Sequence, residues 1–154
     1  MLLQTERCLI RRFMPEDAQT LYLLLSDPTV MEYIEPAYSM EQTRSFLDEA
    51  GLSQPPLVYA LVWKASNTLV GQIIFHPYDE QSYEIGWLLR QDYWGRGVAT
   101  EVTLALTVYA ASIGASECVI ECHPEQAATQ RVAEKCGFES IGCHEGLCLY
   151  RRFL

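Results

Sequence analysis

No apolar run in this chain approaches the ~18 residues that a membrane-spanning helix requires. The opening stretch, Met1-Leu2-Leu3-Gln4-Thr5-Glu6, lacks the basic segment and long apolar core of a signal peptide. These two absences lead to the expectation of a cytoplasmic protein with no membrane partner. Positive charge is also scarce: 11 Lys and Arg stand against 20 Asp and Glu, a net charge of −9. Binding the phosphate backbone of nucleic acid needs a cationic surface, so no nucleic-acid partner is expected. The acidity suits a cationic partner such as an amine or a basic peptide, and it serves equally well to keep the protein in solution. The six cysteines contain no Cys-x-x-Cys pair. Cys118 and Cys122 would share one face of a strand roughly 13 Å apart, too far for one zinc ion or one bridge. The cysteines therefore read as small buried hydrophobes, with neither metal nor disulfide expected.

At 154 residues, 49% hydrophobic and 20% charged, the chain is expected to form one domain, 1–154, with a buried core. The segment Trp94-Gly95-Arg96-Gly97-Val98-Ala99-Thr100-Glu101 lies between an apolar run, Ile85 to Leu89, and an amphipathic one, Val98 to Ile113. A glycine-rich turn leading from a strand into a helix points several backbone N–H groups at one spot, and the helix dipole adds positive potential there. That spot suits a phosphate, although two glycines also serve a plain turn because glycine tolerates positive φ. No Gly-Lys-Ser/Thr follows, which excludes a Walker loop, and the third glycine of a dinucleotide fingerprint is missing. No Mg²⁺-binding pattern accompanies the turn, which weakens a plain nucleotide-binding role.

The remaining elements follow from periodicity and punctuation. Cys8 to Phe13 reads as a strand. Pro15 suits the first turn of a helix, with Glu16 and Asp17 at its positive end; Leu21, Leu24 and Leu25 form its apolar face, and Asp27-Pro28 ends it. Ser39-Met40-Glu41-Gln42 has the form of a capping box, which predicts a helix to about Ala50 with Gly51 as its stop. Strands are expected over Leu57 to Ala65, Leu69 to His76 and Tyr83 to Arg90. Alternation of Val58, Ala60 and Val62 with Tyr59, Leu61 and Trp63 makes both faces of the first apolar. A helix from Val98 is stopped by Gly114, a strand runs from Glu117 to Cys122, and a helix from Glu125 to Cys136 is stopped by Gly137. Phe138 to His144 and Leu147 to Phe153 form a hairpin through Glu145-Gly146. The fold class is α/β (α+β), a twisted mixed sheet of about seven strands with helices on both faces.

Further residues complete a pattern around the glycine turn. Glu84-Ile85-Gly86-Trp87 stands upstream, and Gln126-Ala127-Ala128-Thr129-Gln130-Arg131-Val132-Ala133-Glu134-Lys135-Cys136-Gly137-Phe138 downstream. The chain starts with Leu9-Ile10-Arg11-Arg12-Phe13 and Pro15-Glu16-Asp17-Ala18. In order and spacing these resemble the GNAT superfamily of N-acetyltransferases over nearly the whole chain, and most closely its Rim-type branch, which includes ribosomal-protein N-terminal acetyltransferases and many relatives of unknown substrate. The resemblance implies a GNAT fold, acetyl-CoA as cosubstrate and no metal. In that family the strand before the glycine turn and the strand after its helix splay apart, and the pantetheine arm lies in the gap.

Acetyl transfer from a thioester to an amine requires a fixed acyl carrier, a neutral amine, a polarised carbonyl and a protonated leaving thiolate. The resemblance places the first task on Trp94, Gly95, Arg96, Gly97, Val98, Ala99 and Thr100, with the N–H groups of Arg96 to Thr100 holding the pyrophosphate. Trp94 stands where the wider superfamily has Gln or Arg, as is usual in the Rim-type branch. The backbone of Leu88, Leu89 and Arg90 matches the segment that polarises the acetyl carbonyl. Glu84 matches the glutamate that serves as general base; a solvated strand residue or a partner for an arginine is its structural alternative. The position of the usual thiolate-protonating tyrosine is Ala133. Thr129 occupies the place of a serine proposed for that role in the Rim-type branch, and Gln126 the place of a cofactor-contacting asparagine. Thr129 can instead bond a carbonyl one turn back, and a thiolate of pKa near ~8.5 needs little help in leaving.

His123 is a second candidate base or a hydrogen-bonded loop residue. His144 and Glu145, in the terminal hairpin, are candidate acceptor contacts. Glu101, Arg131, Glu134 and Lys135 read as ordinary helix-surface residues. The implied activity is an N-acetyltransferase acting on a primary amine, either a protein N-terminus or a small molecule, by direct attack in a ternary complex. The alternative is a CoA-binding sensor or partner module with little catalysis. Monomer and homodimer both remain open.

Overall fold

The computed structural model describes residues 2–154. Eight strands form a sheet in the order β1-β2-β3-β4-β5-β6-β8-β7, accompanied by four α-helices. Contacts divide the chain into two compact units, one built from the residues up to Ile74 together with Trp87–Arg96, the other from Phe75–Gly86 and Gly97–Leu154.

The first unit starts with β1 (Leu3–Gln4) and β2 (Cys8–Arg11), an antiparallel pair with Leu3 opposite Ile10. β1 is the strand that sequence reading missed. Two residues show no alternation, and the pairing is set by Thr5, whose N–H donates to Cys8 O and whose hydroxyl accepts from Cys8 N. Pro15–Asp17 form a 3₁₀ turn that leads into α1 (Ala18–Leu25). Arg11 clamps this turn to β2 with two bonds to the Asp17 carboxylate, 2.8 and 2.9 Å, and the Met14 N–H adds a third at 2.8 Å. Burial pushes the Asp17 pKa up, but the bonds from Arg11 and Met14 outweigh it and hold the group below the usual carboxylate range.

α2 (Met40–Phe46) begins at the capping box: Ser39 Oγ accepts from Gln42 N, and Gln42 Oε1 accepts from Ser39 N. The helix then widens into a π-type turn over Leu47–Gly51, so its α-helical part is shorter than the pattern to Ala50 predicts. Phe13, Leu21, Leu24, Leu25, Leu47, Val58, Ala60, Leu69 and Leu88 share this unit's core. β3 (Val58–Trp63) is buried on both faces up to its last residue, as its alternation of apolar types requires. β4 (Thr68–Pro77) follows a turn at Asn67, and β5 (Ser82–Leu89) carries the chain toward the glycine turn.

In the second unit α3 (Val98–Ser112) buries Val98, Val102, Leu106 and Ala110 at helical spacing. β6 (Glu117–Cys122) runs parallel to β5, with Ser82, Tyr83 and Glu84 opposite Glu117, Cys118 and Val119. α4 (Ala127–Lys135) turns its Arg131, Glu134 and Lys135 to solvent and buries Ala133. β7 (Glu139–His144) and β8 (Leu147–Phe153) form the expected hairpin through Glu145 and Gly146, both at positive φ. β8 lies antiparallel to β6, and Arg152 donates to the Cys136 carbonyl at the end of α4.

The cysteines depart from the expectation of no disulfide. Cys143 and Cys148 form a disulfide. The two residues stand equally far from the Glu145-Gly146 turn, so the hairpin register places them opposite one another. Spacing within one strand could not reveal that; counting outward from the turn would have. Cys8, Cys118, Cys122 and Cys136 form no disulfide and are buried, as expected of small hydrophobes. Burial pushes the Cys118 thiol up to about 12, with Arg152 pulling the other way, and raises Cys122 and Cys136 as well.

Candidate functional site

β5 ends at Leu89, and the chain passes through a 3₁₀ turn at Gln91–Tyr93 before the glycine segment. Several bonds fix this approach. The Arg90 N–H donates to Val70 O at 2.9 Å, and the Trp94 indole N–H donates to Leu89 O at 2.9 Å. Trp94 thus has a structural task as a strap on the end of β5, while 48% of its surface remains exposed. The Arg96 guanidinium lies 4.8 Å from the centroid of the Tyr93 ring, and Arg90 lies 5.7 Å from it. Tyr93 packs on Trp63 with ring centroids 5.2 Å apart. Two cations are therefore held beside one aromatic ring just ahead of the glycine turn.

Gly95 has φ +71° and Gly97 φ +77°, a left-handed conformation that disfavours a side chain. Gly97 is the N-cap of α3, and no side chain caps that end. The first N–H bonded back along the chain is that of Glu101, which donates to Gly97 O at 3.0 Å. The N–H groups of Val98, Ala99 and Thr100 precede it and have no intrahelical acceptor. An uncapped helix N-terminus entered through two left-handed glycines is chemically suited to an anion. The end of α4 is tied to this helix by Cys136, whose thiol approaches Thr100 O at 3.8 Å.

The close approach that shapes β5 lies at Gly71. A Cβ on that residue would stand 2.3 Å from Leu88 O and 3.0 Å from Leu89 Cδ2. Glycine at this position lets β4 press directly against the backbone of Leu88, which, like Leu89, is buried.

Glu84 sits on β5 with 18% of its side chain exposed, and its Oε2 lies 3.1 Å from Nε2 of His76. The sequence offered an arginine as its alternative partner; the actual partner is a histidine. The signal for it is the β4–β5 turn. Tyr78 N–H donates to Ser82 O, and Asp79 Oδ1 accepts from both Gln81 and Ser82 N–H. Counting back from that turn brings His76 opposite Glu84. The contact with Glu84 raises the His76 pKa, burial opposes it, and the Pro77 carbonyl and the charges of Glu84 and Glu121 add to the rise. Beside Glu84, Tyr83 stacks on Phe75 at 4.7 Å.

Gln126 is the N-cap residue of α4, but its side chain does not cap the helix; Oε1 accepts the His123 N–H at 2.7 Å, closing the turn between β6 and α4. His123 Nδ1 accepts the Glu125 N–H at 3.1 Å, which leaves its proton on Nε2 and makes the ring part of the same turn. Thr129 is half-buried on α4; among the described residues its hydroxyl has no hydrogen-bond partner, so the bond to the preceding turn is not made. His144 and Glu145 are 90% and 85% exposed, 3.6 Å apart at the hairpin tip. Among the described residues no group of His, Cys, Asp or Glu is arranged to hold a metal ion, and no helix is long and apolar enough to cross a membrane.

Known proteins share this organisation. The acetyltransferase (GNAT) domain family matches residues 7–139. The chain is 30% identical over 145 residues to a Bacillus subtilis (strain 168) protein named "Uncharacterized N-acetyltransferase YnaD", covering 92% of this chain and 85% of the relative. An acetyltransferase (GNAT family) from Bacillus anthracis superposes with a TM-score of 0.90 at 29% identity, over 98% of this chain and 97% of that one. RimL, a ribosomal L7/L12 alpha-N-protein acetyltransferase solved with coenzyme A, shares the fold with a TM-score of 0.86 at 20% identity, over 99% and 97% of the two chains. From the match at residues 7–139 and these relatives, the chain belongs to the GNAT acetyltransferase family and is an acetyl-transferring enzyme.

Proposed function

We propose that this protein is a cytoplasmic N-acetyltransferase that moves the acetyl group of acetyl-CoA to a primary amine, a protein N-terminus or a small molecule, by direct attack in a ternary complex. The observation that carries the reading is the start of α3, where two left-handed glycines lead into uncapped N–H groups. Donors of that kind match a pyrophosphate in charge and geometry. When bound, acetyl-CoA supplies a thioester carbonyl. The N–H groups of Arg96 to Thr100 would hold its pyrophosphate, with Trp94 and Gly95 setting the path of the loop. The backbone of Leu88 or Leu89 would donate to the carbonyl; the Arg90 N–H is already engaged by Val70 O. Gln126 would offer its Nε2, since Oε1 serves His123. Glu84 would accept the amine's proton, directly or through water, and the Thr129 hydroxyl would protonate the departing sulfur. The coenzyme A in the RimL structure supports the choice of cosubstrate. Rim-type relatives among the structural neighbours, including a Salmonella typhimurium enzyme that modifies the N-terminal serine of a ribosomal protein, support an amine acceptor.

Thermal unfolding with acetyl-CoA, CoA or ATP, each added alone, tests the binding half. A ligand at 100 times its Kd adds roughly 2.7 kcal/mol of stability. Stabilisation by the two CoA species and not by ATP is expected, and absence of a shift at millimolar acetyl-CoA would remove the pyrophosphate assignment. Glu84→Gln tests the catalytic half. It should lower kcat by about 10²–10⁴-fold while leaving the CoA shift intact; wild-type turnover in that variant would end the base assignment.

A further inference from the structure

We propose that His76 and Glu84 act as one proton-accepting pair, in which the proton taken from the amine comes to rest on His76 Nε2 and from there bonds one oxygen of the Glu84 carboxylate. The proposal rests on Glu84 being the base.

The geometry assigns each nitrogen of His76 a task. Nδ1 lies 2.9 Å from Pro77 O. A carbonyl oxygen only accepts, so Nδ1 carries a hydrogen in this arrangement. Nε2 is then the nitrogen free to gain or lose a proton, and it is the one that lies 3.1 Å from Glu84 Oε2. Both side chains are mostly withdrawn from water, 23% and 18% exposed, so the pair is screened less than a surface one. The charged groups acting on His76 are all acidic: Glu84 from β5 and Glu121 from β6. Tyr78, just after β4, has its pKa raised by burial and by the charges of Glu121, Glu84 and Asp79. This surrounding field favours a proton on Nε2, and His76 is raised accordingly.

The chemical step balances on these atoms. The amine nitrogen forms a bond to the acyl carbon of the thioester, and the carbon–sulfur bond breaks with its electron pair leaving on sulfur. The proton lost by nitrogen passes to the Glu84 carboxylate and comes to rest on Nε2, between the two side chains. The pair begins with one net negative charge, as neutral imidazole and carboxylate, and ends neutral overall. A carboxylate working alone sits far below neutral pH in proton affinity, whereas the pair accepts its proton in the histidine range. A pair that already holds a proton on Nε2 cannot accept another at that atom, so activity should fall as pH drops through the titration of His76.

The test combines a titration with kinetics. Imidazole ¹⁵N NMR of the whole protein follows its three histidines, with the His76 signals identified by their loss in His76→Gln. The His76 midpoint is expected above the ordinary 6.5, and Glu84→Gln should bring it down by about one unit or more. In the acetyl-CoA assay the acid limb of kcat/KM should coincide with that midpoint, and in His76→Gln it should shift down by more than one unit. An unchanged His76 midpoint in Glu84→Gln, or an unchanged acid limb in His76→Gln, would overturn the pair. The Glu84→Gln titration needs no His76 variant to fold. If Glu84→Gln abolishes turnover but leaves the His76 midpoint alone, the pair fails and the base survives. If Glu84→Gln turns over normally, the base reading fails with it.

Discussion

Gly71 offers the sharpest perturbation of the strand that leads to the glycine turn. In Gly71→Ala the new methyl would meet Leu88 O at 2.3 Å, where the obstacle is backbone and cannot rotate away. A carbon and a carbonyl oxygen settle at about 3.3 Å or beyond, so β4 and β5 would have to part locally by roughly 1 Å. The nearby Arg90 N–H to Val70 O bond, now 2.9 Å, would stretch beyond hydrogen-bond range. Losing one or two such bonds at about 1 kcal/mol each, with about 1–3 kcal/mol of overpacking, gives a destabilisation of about 2–5 kcal/mol. For a chain of this size that is a fall in Tm of about 4–20 °C, read by calorimetry or circular dichroism. Gly114→Ala is the control, because its Cβ would meet nothing within 4 Å and only φ +96° opposes it; about 1–2 kcal/mol is expected there. The displaced Leu88 backbone should also weaken acetyl-CoA binding in Gly71→Ala. A Gly71→Ala protein within 2 °C of wild type would refute the close-approach reasoning.

Other outcomes follow from single contacts. Asp17→Asn removes the carboxylate that joins Arg11 and Met14 N–H, and should lower stability by about 2–3 kcal/mol in urea unfolding at pH 7. In the wild type the folded-state pKa of Asp17 lies below the ordinary carboxylate value of 3.8. Its stabilisation is therefore complete above that value and lost as pH falls through the folded-state pKa. The variant's stability should accordingly decline less between pH 5 and pH 2.5 than that of the wild type. Ser39→Ala removes one half of the capping box and should cost about 0.5–2 kcal/mol, measured the same way; no change would show that α2 is held by packing alone. The raised thiols of Cys118, Cys122 and Cys136 should leave native protein unreactive toward a thiol reagent at pH 8, with reaction appearing on unfolding. Rapid labelling of the folded protein would contradict their burial.

The local signals in the chain were sufficient wherever one segment carries its own instruction. Ser39 and Gln42 close a reciprocal cap three residues apart, Gly97 opens α3 and Gly114 follows its end, and Glu145-Gly146 turns the last hairpin. Each depends on dihedral preference or on neighbours within four residues, and so survives without knowledge of the rest of the fold. The same holds for the order of motifs from Glu84 through Trp94–Thr100 to Thr129, which carries the likeness to the family in the sequence itself.

Pairings across elements were not legible in this way. Sequence places His76 and Glu84 on separate strands, but only the β4–β5 register brings Nε2 to Oε2. Cys143 and Cys148 look like two unrelated hydrophobes within their own strands, and only a count outward from the Glu145-Gly146 turn sets them opposite each other. Gln126 has an amide of the right chemistry, yet its oxygen turns to His123 N–H. The extended end of α2 relaxes into a π-type turn although its residues suit an α-helix. Helix caps, turns and the strand-to-helix glycine loop were thus determined by the sequence alone, because their energies are local. Partner choice for the candidate base, the disulfide and the close approach at Gly71 were decided by tertiary structure, because each depends on which residue of another segment the strand register places opposite.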